Sequence, residues 1–165
     1  MQLQGFVFTF VLVAIPCFSP VVRADDAADV KACEMAFNAA ENAGNTDGMF
    51  KYFLADRTVY GSAGGRLTVG WTAENKNRRQ AEFDAGRKVD LRIEDLSVRL
   101  YGDTAVTTFY RIGTVKGLDG ILRKTSLRIS GVWIRQKGEW KLAHRHESPL
   151  ANDRFRKRAY IFGHL

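Results

Sequence analysis

The order of patterns along the chain predicts an α+β fold, with three helices packed on a curved, mostly antiparallel sheet of about six strands. Three observations carry this. Helical spacing of apolar residues is confined to the stretch before Gly86. From Lys88 to Ser148 the apolar residues alternate at strand period. Two tight turns, Gly102-Asp103 and Lys137-Gly138, then divide that stretch into antiparallel neighbours.

The chain has 165 residues, which is one domain's worth. Residues 6–22, FVFTFVLVAIPCFSPVV, form an apolar, uncharged run broken by Pro16 and Pro20. Val22-Arg23-Ala24 follows, with small residues placed for cleavage before Asp25-Asp26. We therefore expect residues 1–24 to be a signal peptide and the mature protein to be exported, periplasmic or secreted. The prolines leave too short a helix for a comfortable membrane span, so no anchor is expected after cleavage. Residues 25–150 form the domain, and 151–165 a basic C-terminal extension carrying Arg154, Arg156, Lys157 and Arg158. The net charge is +7, but those four tail residues hold much of it, which argues against a nucleic-acid footprint on the domain. With Cys17 in the leader only Cys33 remains, so the core holds the mature fold without an internal disulfide.

The elements follow in order. Val30, Cys33, Phe37 and Ala40 make a helical stripe ended by Gly44-Asn45. Thr46-Asp47 reads as the cap of a short second helix carrying Met49, Phe50, Phe53 and Leu54. Thr58-Val59-Tyr60, a turn containing Gly61, Gly64 and Gly65, and Leu67-Thr68-Val69 read as a small hairpin. The turn lacks the spacing and the Lys-Ser/Thr of a phosphate loop. Trp71 to Gly86 is a third helix with Thr72 as its cap. In the strand that follows, apolar alternation slips by one residue at Glu94-Asp95, as a β-bulge produces.

Two of the three histidines, His144 and His146, close the final strand. With Lys137-Gly138 as a two-residue loop, Gln136 pairs with Glu139, Trp133 with Leu142, Gly131 with His144 and Ile129 with His146. That face is the more apolar, so both histidines are expected to point inward, together with Arg111 on the neighbouring strand. Arg145 and Glu147 are then expected on the outer face, with Glu147 opposite Arg128.

The Gly-rich turn before Leu67-Thr68-Val69-Gly70-Trp71, and Val132-Trp133-Ile134-Arg135…Gly138-Glu139-Trp140-Lys141-Leu142…His144…His146…Ser148, resemble the SnoaL-like branch of the nuclear transport factor 2-like superfamily. The resemblance covers roughly residues 26–150 and implies a cone whose concave side holds a pocket. It implies isomerase-like, dehydratase-like or cyclase-like enzymes, small-ligand binders or plain dimerisation modules, so the fold alone does not choose. The catalytic aspartate that the isomerases place after the first strand has no counterpart in Val59-Tyr60-Gly61-Ser62.

Two readings stand. In one, an exported pocket protein binds a small anionic or carbonyl-bearing ligand, with or without transforming it. Tyr60, Trp71, Phe109, Arg111, Trp133, His144 and His146 line its site, and His144 is the acid–base residue if there is chemistry. In the other, the domain is a structural dimerisation module with a vestigial cavity. Neither reading calls for a cofactor or a metal, because two histidines on one strand lack a third and fourth ligand. Both include a homodimer through the outer face of the sheet, where Val132, Ile134, Ala143, Val106, Thr108 and Tyr110 form a half-apolar surface.

Overall fold

The computed structural model describes residues 25–150; the expected signal peptide and basic extension lie outside the described residues. Helix α1 (Asp25–Asn42) is followed by α2 (Thr46–Phe50), β1 (Phe53–Tyr60), β2 (Thr68–Val69), α3 (Ala73–Asp84) and four long strands. These are β3 (Lys88–Tyr101), β4 (Thr104–Lys116), β5 (Leu122–Gln136) and β6 (Glu139–Pro149). The sheet order is β2-β1-β6-β5-β4-β3. Its neighbours are antiparallel except β1 and β6, which run parallel.

Local chemistry explains most boundaries. Thr72 caps α3 by accepting from the Asn75 N–H, and Gly86 ends it at a φ of 100° that favours glycine. The second helix is shorter than expected. Asn45, not Thr46, is its cap, and Phe53 and Leu54 belong to β1. A five-residue helix has no room for both aromatic positions. Phe53 instead pairs with Leu142 of β6 and packs at the edge of the core.

The bulge expected in β3 is present. The register with β4 shifts between Glu94 and Ser97, and Asp95 adopts a φ of 54°. The Lys137-Gly138 turn has positive φ at both residues, as a type I′ hairpin requires, and Gln136 pairs with Glu139.

The expected register holds from that turn only to Trp133 opposite Leu142. It then shifts, and Val132 pairs with His144. Ala143 is the extra residue, and the bulge inverts the facing of everything after it. Arg145 and Glu147 turn inward, while His144 and His146 turn outward. The inward placement of the two histidines is thus corrected.

The physical reason lies on α1. Glu34 is fully buried, one turn after Val30 on the buried face, and a carboxylate there needs a cation. Arg145, only 2% exposed, supplies it through a buried ion pair. The Thr107 hydroxyl (2.9 Å) and the Trp133 indole N–H (2.8 Å) donate to the other Glu34 oxygen. Gly131 does not open space for His144. A Cβ there would sit 2.7 Å from Thr107 Oγ1 and 3.3 Å from Glu34 Oε1, so its space belongs to this network.

The core gathers at one end of the sheet around Val30, Ala105, Trp133, Trp140 and Leu142. Phe109, Leu127 and Ile129 form a second buried cluster. Beyond them the concave side is open.

Candidate functional site

A cavity of about 690 Å³ opens between the concave face and helices α1 and α3. Its apolar walls include Phe37, Met49, Phe53, Trp71, Leu91 and Leu127. Its charged walls are Arg57 on β1, Arg111 on β4, Arg145 and Glu147 on β6, Glu41 on α1, and Glu82 on α3, which pairs with Arg79 and Arg87. Arg78, Arg79, Arg87 and Arg123 add further positive charge to its lining.

These charges are not equally engaged. Arg111 is 3% exposed and committed to α1, with Nε donating to Asn38 Oδ1 (2.9 Å) and Nη2 to Glu41 Oε2 (2.6 Å). Burial pushes the Glu41 carboxyl up, but the charge and hydrogen bond of Arg111 outweigh it and hold Glu41 below the usual range. Arg145 spends one nitrogen on Glu34, while its Nε and Nη1 are buried without a hydrogen-bond partner. Its guanidinium lies over the Phe37 ring at 4.4 Å.

Arg57 is the most exceptional group. It is 5% exposed, its Nε has no hydrogen-bond partner, and no ion pair reaches it among the described residues. Its guanidinium is sandwiched by aromatics, 3.5 Å from the Phe53 ring centroid and 4.6 Å from that of Trp71. Burial, reinforced by the like charge of Arg145, pulls its pKa down to about 9. Alternation along β1 places it there: Phe53, Arg57 and Val59 line the cavity, whereas Thr58 and Tyr60 face away.

Glu147 is half-buried on the same wall, next to Arg145 along β6 and opposite Ile129 of β5. It makes no hydrogen bond or ion pair with a described residue, and burial raises its carboxyl above the ordinary range.

Of the seven residues expected to line the site, the cavity holds Trp71 and Arg111. Phe109 and Trp133 are buried in the two core clusters, and the Trp133 N–H is spent on Glu34. Tyr60, His144 and His146 form a separate group on the outer face. The Tyr60 ring is 6.2 Å from His144 and 5.7 Å from His146, and Thr58 Oγ1 lies 2.7 Å from His144 Nδ1. His144 therefore cannot meet a ligand in the cavity. The charged cavity residues missed from sequence are Arg57, Arg145 and Glu147. Glu34 was the available signal: an acid one turn after Val30 on a buried stripe demands an inward cation, and the bulge in β6 brings Arg145 to it.

Residues 30–152 match the SnoaL-like domain. The chain belongs to the SnoaL-like domain family. Solved structures agree on the fold. A putative dehydratase of the NTF2-like family from Streptomyces avermitilis is 20% identical, with a TM-score of 0.66, covering 78% of this chain and 99% of its own. A ketosteroid isomerase-like protein from Erwinia carotovora atroseptica is 17% identical, with a TM-score of 0.65, covering 78% and 99%. The S. rosetta CaMKII hub is 24% identical, with a TM-score of 0.63, covering 78% and 100%. At these identities the likeness establishes the shared SnoaL-like cone and not an activity. A search of curated proteins found no match.

Proposed function

We propose that this protein binds a small organic anion, a carboxylate on an apolar body, in the concave cavity. The carrying observation is the buried guanidinium of Arg57, with its unpartnered Nε held against Phe53 and Trp71. A buried charged donor left without an acceptor costs about 1–3 kcal/mol or more, so a site that retains one is built to receive an acceptor. Arg145 adds two more unpartnered nitrogens on the same wall. The apolar lining suits the body of the ligand, and the volume falls within the range of small-molecule sites. The surrounding arginines would draw anions in.

Export remains part of this proposal, supported by the apolar run ahead of Val22-Arg23-Ala24. A homodimer through the outer face is the second part. Tyr60 and Tyr110 are exposed there, and Val132 and His144 pair across β5 and β6. In this reading the histidines serve the face that meets a partner copy.

The test is calorimetric titration with benzoate. Arg57→Ala should weaken binding by about 10- to 100-fold, the worth of one charge-assisted hydrogen-bond pair. Equal affinity in wild type and variant would refute the assignment.

A further inference from the structure

We propose that the turn joining β4 to β5 is a docking element for an anionic lipid surface. Leu118, Ile121 and Leu122 enter the interface while the surrounding lysines meet the headgroups. None of those three apolar residues lines the anion cavity, so the element stands or falls apart from that site.

Leu118, Ile121 and Leu122 are 61%, 55% and 65% exposed. Single apolar residues are ordinary on a protein surface, but three large aliphatic side chains within five positions form a cluster. The cluster also projects. β4 meets β3 only as far as Lys116 opposite Lys88, and β5 meets β6 only as far as Leu127 opposite Pro149. Residues 117–121 therefore extend past both flanking strands. The Gly117 N–H donates to Ile121 O (3.2 Å) and the Gly120 N–H to Gly117 O (3.0 Å), which closes the turn.

Charge selects the occupant. Lys116 and Lys124 flank the turn on its two strands, and Lys88 stands beside Lys116 on β3. Among the described residues none of these three lysines joins an ion pair. The one acid between Val115 and Thr125 is Asp119, and Arg123 engages both its oxygens, at 3.1 and 2.5 Å. Asp90, the first acid along β3, stands opposite Thr114, further from the tip than Lys116. A second copy docking tip to tip would set these cations against one another. An anionic bilayer instead offers a negative surface with an apolar layer beneath it, which suits lysines ringing aliphatic side chains. The described domain also ends on this side of the sheet. The Leu150 N–H donates to Ser126 O (2.8 Å), on the part of β5 that leads from the tip, and Arg154, Arg156, Lys157 and Arg158 follow in sequence.

Vesicle flotation with the mature chain, Asp25 to Leu165, measures this directly. Equimolar phosphatidylglycerol and phosphatidylcholine are compared with phosphatidylcholine alone. Wild type should float with the anionic vesicles and not with the neutral ones. Leu118→Ser, Ile121→Ser and Leu122→Ser together should weaken binding by at least about tenfold. Lys116→Gln with Lys124→Gln should weaken it about fivefold per charge. The serine replacements fall on exposed side chains outside both core clusters, so circular dichroism melts should show the fold intact. Leu118→Trp gives a second readout that does not depend on them: its emission should shift to the blue with anionic vesicles and be quenched by brominated acyl chains. An unshifted emission overturns the proposal, as does an absence of flotation or equal flotation with neutral vesicles. Flotation that survives the serine replacements overturns it too, and assigns binding to the tail if Arg154→Gln, Arg156→Gln, Lys157→Gln and Arg158→Gln together abolish it. An assembly in sedimentation that the serine replacements dissolve, without vesicle binding, makes a second copy the occupant and refutes the lipid assignment.

Discussion

Truncating Glu34 should unfold the logic of the concave face. The carboxylate is fully buried and accepts from Thr107, Trp133 and Arg145. In Glu34→Ala the Arg145 guanidinium, 2% exposed, loses its counter-charge. Removing one partner of a buried pair costs about 3–5 kcal/mol. The stranded Thr107 and Trp133 donors each add to this in principle, but the three share one acceptor and do not sum. About 4 kcal/mol is therefore the working value, a large share of the 5–15 kcal/mol of a typical domain. For a domain of this size, at roughly 4 °C per kcal/mol, the melting temperature should fall by about 15 °C. Circular dichroism melts and urea titrations with matched m-values measure it. Glu34→Leu combined with Arg145→Leu should recover much of the loss, because an apolar pair can replace a buried ion pair at little cost. A loss below about 1 kcal/mol in Glu34→Ala would refute the reasoning. It would mean that Arg145 swings out freely and that the ion pair does not fix the register of β6.

Three further outcomes are expected. Glu147→Gln should stabilise the ligand-free protein at neutral pH. The raised folded-state carboxyl favours the protonated form, so its contribution is full below the ordinary carboxylate range and lost as pH rises through the folded value. The gain should disappear at about pH 4 and grow toward pH 8 in pH-dependent melts. His144→Ala and His146→Ala should leave benzoate affinity as in wild type, because both side chains lie on the outer face; a tenfold loss in either would restore them to the site. In sedimentation, Tyr110→Glu combined with Val132→Glu should convert a dimer to monomers, and a wild-type monomer at about 50 μM would remove the proposed interface.

Much of the fold was legible because it depends on local chemistry. The Thr72 cap, the Gly86 stop, the Lys137-Gly138 turn and the slip at Glu94-Asp95 each act within a few residues, and each appears in the structure. The site was less legible because its facing depends on a distant contact. Nothing in WKLAHRHES marks Ala143 as an extra residue; the bulge answers Glu34, more than a hundred residues earlier. One residue of slip exchanged the histidines for Arg145 and Glu147. Arg57 was hidden differently. Reading β1 from Thr58 omitted the strand residues before it, and with them the alternation that turns Arg57 inward.

A crystal structure of the protein with 4-bromobenzoate tests the central claim most directly, since bromine marks the ligand body by anomalous scattering. The carboxylate should lie at about 2.7–3.0 Å from guanidinium nitrogens of Arg57, with the bromine among the apolar walls of the cavity. A ligand seated against Tyr60, His144 and His146 on the outer face, with the cavity empty of it, would contradict the account.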